Sequence, residues 1–308
     1  MNKTFLTLLG SLMISTSLFA KEKISIYFPY AASASPTPSV IRMVDEANNL
    51  QEKYNFQLVF KPGGNQGIAV NSMDREPNNS LSVIAPAYVE NYKTNMFDKN
   101  NHVPIWSMGN ACWLVISNLG DEKTGLSSLK HEKEINVGGV GFGNATHLTA
   151  LALGEKYNIK INYIVFKSNT DALMNMVGKN GINMVIDKAD NYINFKEKGN
   201  LRALAVSCNK KIGKLNFVKT LEEQKITAPS VFNIIIANKN MPIDLQQDIK
   251  SILQKSAENI GQDFFLEHSG FRPSQFDKIS EDMFYNKSLL LLEELLAKHK
   301  YAIELSKK

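Results

Sequence analysis

From residue 24 onward, short apolar runs alternate with longer amphipathic stretches, and this alternation confines the chain to an α/β fold. Residues 24–28 read as a strand, after which Thr37 is placed to cap a helix with Pro38 at its first position. Val40, Met43, Val44 and Ala47 follow at helical spacing. Residues 56–60 and 81–84 read as strands, separated by a Pro62-Gly63-Gly64 turn and a helix that Asn65 would cap. The scheme then repeats. Strands are expected over 113–117, 134–140, 163–166, 182–186, 204–206 and 231–237. Helices are expected after Asn144 (Leu148, Leu151, Ala152 on one face), after Thr170 (closing at Gly178) and after Pro242. The leucine-rich last thirty residues read as one long helix. Strand–helix alternation of this kind implies parallel sheets covered by helices.

The amino end has a different character. A basic start at Lys3, an apolar stretch over 5–19 and Ala20 before Lys21-Glu22-Lys23 have the layout of a secretory signal peptide spanning 1–20. The stretch is broken by Gly10, Ser11, Ser15 and Ser17 and falls short of the roughly 20 apolar residues that span a bilayer. Export into the periplasm through a Sec-type route is therefore expected, with no membrane insertion after cleavage. An apolar fraction of 44% excludes disorder. The formal charge of +5 is carried mostly by lysines interspersed with acids, with arginine only at 42, 75, 202 and 272. That is a solvated surface rather than the clustered basic face of a nucleic-acid binder. Cys112 and Cys208 each lie in or beside an apolar run and read as two buried thiols; pairing is the alternative that export would permit.

Three turns stand at a strand's carboxyl end and a helix's amino end: residues 31–38, 63–67 and 141–147. Ligands of open α/β sheets bind along that edge. Helix amino ends offer unpaired N–H groups and partial positive charge, which suits an anion. Ser33, Ser35, Asn65, Asn144 and Thr146 would add side-chain donors, and none of the three turns holds an arginine. The plainer alternative for each turn is a cap and nothing more. Enzymatic patterns fail. Thr146 stands where a third glycine would complete a dinucleotide fingerprint, and there is neither a phosphate-binding G-x-x-x-x-G-K-S/T nor a G-x-S-x-G elbow. The five histidines are scattered, so neither a metal nor a cofactor is expected. His147 and Asp187, the latter at the end of a strand, are the titratable groups in suggestive places.

The same segments resemble the extracytoplasmic receptors of tripartite tricarboxylate transporters. Gly141-Phe142-Gly143-Asn144-Ala145-Thr146-His147-Leu148 is similar to that family's G-x-G-S-x-x-H-L, and residues 199–206, Gly-Asn-Leu-Arg-Ala-Leu-Ala-Val, to its G-x-L-R-A-L-A-V. Pro29-Tyr30-Ala31-Ala32, Pro62-Gly63-Gly64-Asn65-Gln66, Val165-Phe166-Lys167-Ser168 and Val218-Lys219-Thr220-Leu221-Glu222-Glu223 resemble its other motifs in order. The sequence departs from the family at the first loop, where Ala34, Ser35 and Pro38 replace glycines and an aspartate, and at Asn144 and Phe166.

The resemblance implies a two-lobed, type II-like periplasmic-binding-protein fold, each lobe a mainly parallel sheet flanked by helices, with the ligand cleft between them. Lobe 1 would comprise residues 21–116 and 234–308 and lobe 2 residues 117–233. The cleft would hold a small carboxylate, contacted by Ala32, Ser33, Ser35, Gly64, Asn65 and Ala85 from one side. Gly143, Asn144, Thr146, His147, Lys167 and Asp187 would contact it from the other. The implied protein is a monomeric receptor, not an enzyme, serving a permease of one large and one small subunit. The alternatives are a receptor for another transport or signalling system binding an amino or organic acid, and an exported hydrolase.

Overall fold

The structure is a computed structural model and describes residues 21–306 apart from Ser33, Ser35, 209–211 and 213–214; the expected signal peptide lies outside these. The first part of the chain runs β1 (Glu22–Phe28), α1 (Thr37–Asn49), β2 (Tyr54–Phe60), α2 (Gly67–Arg75), β3 (Ser80–Ile84), α3 (Ala87–Lys93) and β4 (His102–Ala111). Then come β5 (Leu114–Ser117), β6 (Glu134–Gly139), α4 (Ala145–Tyr157), β7 (Lys160–Val165), α5 (Asn169–Val177), β8 (Met184–Asp187), α6 (Ala189–Gly199) and β9 (Arg202–Val206). The chain ends with β10 (Phe232–Asn238), α7 (Ile243–Ile260), α8 (Gln262–Ser269), β11 (Phe271–Arg272), α9 (Glu281–Lys298) and α10 (Lys300–Ser306).

Two sheets result. One has the order β11-β4-β10-β3-β1-β2 and the other β7-β6-β8-β5-β9. Apart from the two-residue edge strand β11, both follow one plan, three parallel strands bordered by a strand that arrives from the other half of the chain. Those arriving strands, β10 and β5, pair antiparallel with both neighbours, so the sheets are mixed rather than mainly parallel. The reason is topological: a strand entering directly from the other sheet has no crossover helix to turn it parallel. Leu114–Ile116, expected with the first sheet, are hydrogen-bonded into the second, and Phe232 and Asn233 into the first.

The uninterrupted burial of β3, β5, β8 and β10 fits strands covered on both faces. Two helix starts differ from expectation. Thr37 spends its hydroxyl on the Ala31 carbonyl (3.2 Å) instead of capping, and Ser168, not Thr170, caps α5 by accepting the Asp171 N–H. The terminal helix is two helices, meeting at His299, whose backbone (φ −99°, ψ 11°) leaves the helical range.

Cys112 and Cys208 form a disulfide with their α-carbons 4.8 Å apart, which corrects the expectation of two thiols. The two residues follow β4 and β9, and Ser207 ties them further by donating to the Ala111 carbonyl (3.1 Å) and accepting the Trp113 N–H (3.0 Å). The bridge therefore closes a loop containing every strand of the second sheet.

The two halves also touch through α9, which packs against α4. Leu148 of α4 is fully buried in a cluster with Leu289, Leu292 and Leu295. At the start of α9, Glu281 is 2% exposed, accepts the Ser274 hydroxyl at 3.0 Å, and burial pushes its carboxyl up from 4.5 to about 7. The folded chain holds this proton where the unfolded chain has released it. The resulting stability is complete below the unfolded value and is lost as pH rises through about 7. Glu281→Gln, neutral at every pH, is expected to raise the melting temperature at pH 8 but not at pH 5; equal shifts at both would show that Glu281 is ionised in the fold.

Candidate functional site

The strand ends of both sheets face one cavity of about 400 Å³, within the range of pockets for small molecules. From the first sheet, Pro29 and Tyr30 follow β1, Pro36 precedes α1, and Pro86 and Ala87 open α3. From the second, Val140, Asn144, Ala145 and Thr146 span the β6–α4 turn, and residues 167–170 the β7–α5 turn. Trp113 and Val231 line it where the chain passes between sheets.

The Gly63–Gln66 turn takes an unusual path. Gly63, Gly64, Asn65 and Gln66 all have positive φ (109°, 55°, 49° and 75°). Glycine enters that region freely, asparagine tolerates it, and glutamine does so at a cost. The outcome is that Asn65 does not cap α2; its amide donates to Glu90 (3.0 Å) and its carbonyl accepts from Asn91 (2.8 Å). Gln66 takes the position before α2 and reaches into the cavity, where its amide donates to the Tyr30 hydroxyl (3.4 Å). Tyr30 in turn donates to Asn233 of β10 (3.2 Å). Burial holds the Tyr30 hydroxyl far above its ordinary value, so it stays a neutral donor and acceptor.

On the opposite wall, Asn144 caps α4. Its Oδ1 accepts the His147 N–H (2.9 Å) and the Thr146 hydroxyl (2.8 Å), while Nδ2 donates to the Val140 carbonyl. Thr146 also meets the Tyr163 hydroxyl at 2.8 Å, and burial pushes that phenol up to about 12. Gly139 lies directly beneath: a Cβ there would stand 2.0 Å from the Tyr163 hydroxyl. The glycine-rich β6–α4 stretch is thus needed for close packing around this network.

Of the expected residues, Asn65, Asn144, Thr146, Lys167 and Asp187 line the cavity. Gly64, Gly143 and Ala85 shape the turns without lining it, Ala32 is exposed to solvent, and Ser33 and Ser35 lie outside the described residues. His147 is fully buried behind the wall, where Nδ1 accepts the Gly143 N–H (2.9 Å) and its ring packs 4.3 Å from that of Tyr163. It therefore fixes the turn rather than facing the cavity.

Tyr30, Gln66, Trp113, Asn169 and Asn233 line the cavity without having been singled out. Asn233 was hidden in an apolar strand, where one polar residue among isoleucines was the available signal. Three buried amide atoms here lack a hydrogen-bond partner: Gln66 Oε1, Asn169 Oδ1 and Asn233 Nδ2. Unsatisfied buried polar atoms are rare in folded proteins. Among the described lining residues Lys167 is the only basic residue and Asp187 the only acidic one. Burial pushes the Asp187 carboxyl up, against hydrogen bonds from Asn191 (2.9 Å) and the Lys188 N–H (2.8 Å).

Two α/β units joined by crossing strands, with one donor-lined cavity between their strand ends, define a solute-binding protein. The sequence over residues 126–296 matches the model of the tripartite tricarboxylate transporter family receptor, and the chain belongs to that family. Among curated protein sequences, none matches the chain. Solved structures share its fold. A solute-binding protein of the same family from Polaromonas superposes with a TM-score of 0.68 at 19% identity, covering 91% of this chain and 99% of its own. MatC from Rhodopseudomonas palustris, solved with malate, gives 0.68 at 13% identity over 92% and 99% of the two chains. Another R. palustris protein, solved with adipate, gives 0.69 at 15% over 94% and 98%. Among the described residues no helix is long and apolar enough to cross a membrane.

Proposed function

We propose that the protein captures a small carboxylic acid in this cavity, in the periplasm after export, and delivers it to a permease with one large and one small membrane subunit. It acts as a monomeric receptor, not as a catalyst. The observation that carries this reading is the donor set around the cavity. The turns of the second sheet contribute the helix amino ends of α4 and α5, together with the unpartnered Asn233 Nδ2 from the first sheet and the Lys167 ammonium. Such groups hold an anion through oriented dipoles and one cation, without arginine. The malate and adipate carried by two proteins of the same fold support the choice of acid.

We take each sheet with its helices as one lobe. A ligand touching both walls favours the closed arrangement because its contacts are complete only there. A thermal-shift screen of the purified chain against di- and tricarboxylates, amino acids and aromatic acids tests the reading. At least one acid is expected to raise the melting temperature with concentration and without added metal, as ligand at a hundred times Kd adds about 2.7 kcal/mol. A panel that leaves the transition unmoved would sink the proposal.

A further inference from the structure

The two halves of the molecule meet in a second place, outside the cavity, and α4 is the element that makes this contact. Ala150 and Leu153 of α4 turn toward the second sheet and join the cluster that holds Ile135 and Val137 of β6. Leu148 turns the other way. It is fully buried in a cluster whose other buried members all come from the first sheet and the helices around it, Ile84 of β3, Ile234 of β10 and the leucines of α9 among them. Leu151 and Glu155 follow Leu148 at helical spacing on one face of α4. Leu151 packs against the same cluster, and Glu155 pairs with Lys298 at the end of α9 (2.7 Å). That pair is half exposed and adds little. The apolar contact carries the strength. α9 also backs the turn before α4, since a Cβ on Gly143 would lie 3.5 Å from Leu296.

The same helix carries part of the cavity wall. Asn144 caps α4, and Ala145 and Thr146 of its first turn line the cavity, whereas Leu148 does not. We propose that Leu148 is a positioning residue for capture. By sinking into the cluster beside α9 it holds the α4 wall against the first sheet, so the protein itself supplies part of the free energy of lobe closure. Affinity for a ligand that needs both walls scales with the fraction of molecules presenting them together. Burial of one leucine side chain shifts such an equilibrium by about 10- to 150-fold. The proposal uses the two lobes of the reading above, but its first readout needs no ligand.

Leu148→Gln suits an exposed helix face, as this position becomes when the lobes part, but leaves an unsatisfied amide when it is buried. Small-angle scattering of the purified wild-type chain is expected to give the radius of gyration of the structure with α4 against α9, and a larger one for Leu148→Gln. With an acid found in the thermal screen, calorimetry is expected to show the variant binding at least about threefold more weakly, and saturating acid should return its radius to the wild-type value. Leu151→Gln, at a position already partly exposed, is expected to do the same more weakly and decides the matter should Leu148→Gln fail to fold. Equal radii for wild type and variant overturn the proposal even if affinity falls, because Leu148 then shapes the wall without setting the lobe separation. A wild-type radius already as large as that of Leu148→Gln with no acid present overturns it for the same reason. If no acid binds wild type, the capture reading falls, while the radii still judge the contact.

Discussion

Asn144→Asp is expected to weaken carboxylate binding by about 30- to 150-fold while leaving the chain folded. A unit charge placed about 5 Å from the ligand's acid, at the effective dielectric of a protein cleft, opposes binding by about 2–3 kcal/mol. The fold tolerates the change because the cap survives. Both bonds that Asn144 Oδ1 accepts, from the His147 N–H and the Thr146 hydroxyl, are available to an aspartate oxygen. Aspartate also caps as well as asparagine and suits the positive end of α4. What is lost is the amide donated to the Val140 carbonyl, which then faces a carboxylate oxygen instead, a cost of about 1–3 kcal/mol. Asn144→Ser, an uncharged cap, is the control and should bind within severalfold of wild type. Equal affinities for the aspartate variant and wild type, measured by calorimetry on an acid found in the thermal screen, would remove the β6–α4 turn from the site.

Removing the disulfide is expected to cost about 2–5 kcal/mol of stability. The bridge joins residues separated by 96 positions, and loops of that length carry a large closure entropy in the unfolded chain. Cys112→Ala with Cys208→Ala avoids burying new hydroxyls at two positions that are 6% and 7% exposed. The urea midpoint of this double variant, and of wild type in reductant, should fall together. Coincident midpoints in oxidised and reduced protein would show that the bridge contributes nothing. This prediction also bears on the export reading, because the oxidising periplasm is where such a bond forms and persists.

Much of the α/β order was legible because strands covered on both faces are written as short, mainly apolar runs, as in residues 114–116 of β5 and 234–237 of β10. β4 was not, because Pro104, Ser107, Gly109 and Asn110 interrupt its pattern. α6 was not, because only Tyr192 and Gly199 among its residues are buried and no apolar stripe marks it. Antiparallel insertion of β5 and β10 was illegible in principle from local pattern, since it depends on where distant segments meet. The site divided in the same way. Turns rich in small residues and caps led to Asn65, Asn144 and Thr146, whose chemistry is local. They also led to His147, where a buried structural histidine and a site histidine look alike in sequence. Tyr30, Gln66 and Asn233 form a chain across β1, the β2–α2 turn and β10, and no local pattern connects them. The cysteine pairing was missed for the same reason: residues 96 apart become neighbours only because β4 and β9 end side by side.

The adjacency of Cys112 and Cys208 has a mechanical consequence. With the entry to the second sheet stapled to the end of its last strand, any swing of that sheet is expected to pivot at this spot rather than slide. Displacement then grows with distance from the staple, as along a lever arm. Trp113, next to the bridge and forming part of the cavity wall, would be expected to stay nearly stationary in such a swing. The indole of Trp113 is therefore a reporter of occupancy rather than of lobe angle, and the other tryptophan, Trp106, is fully buried within the first sheet as a silent reference.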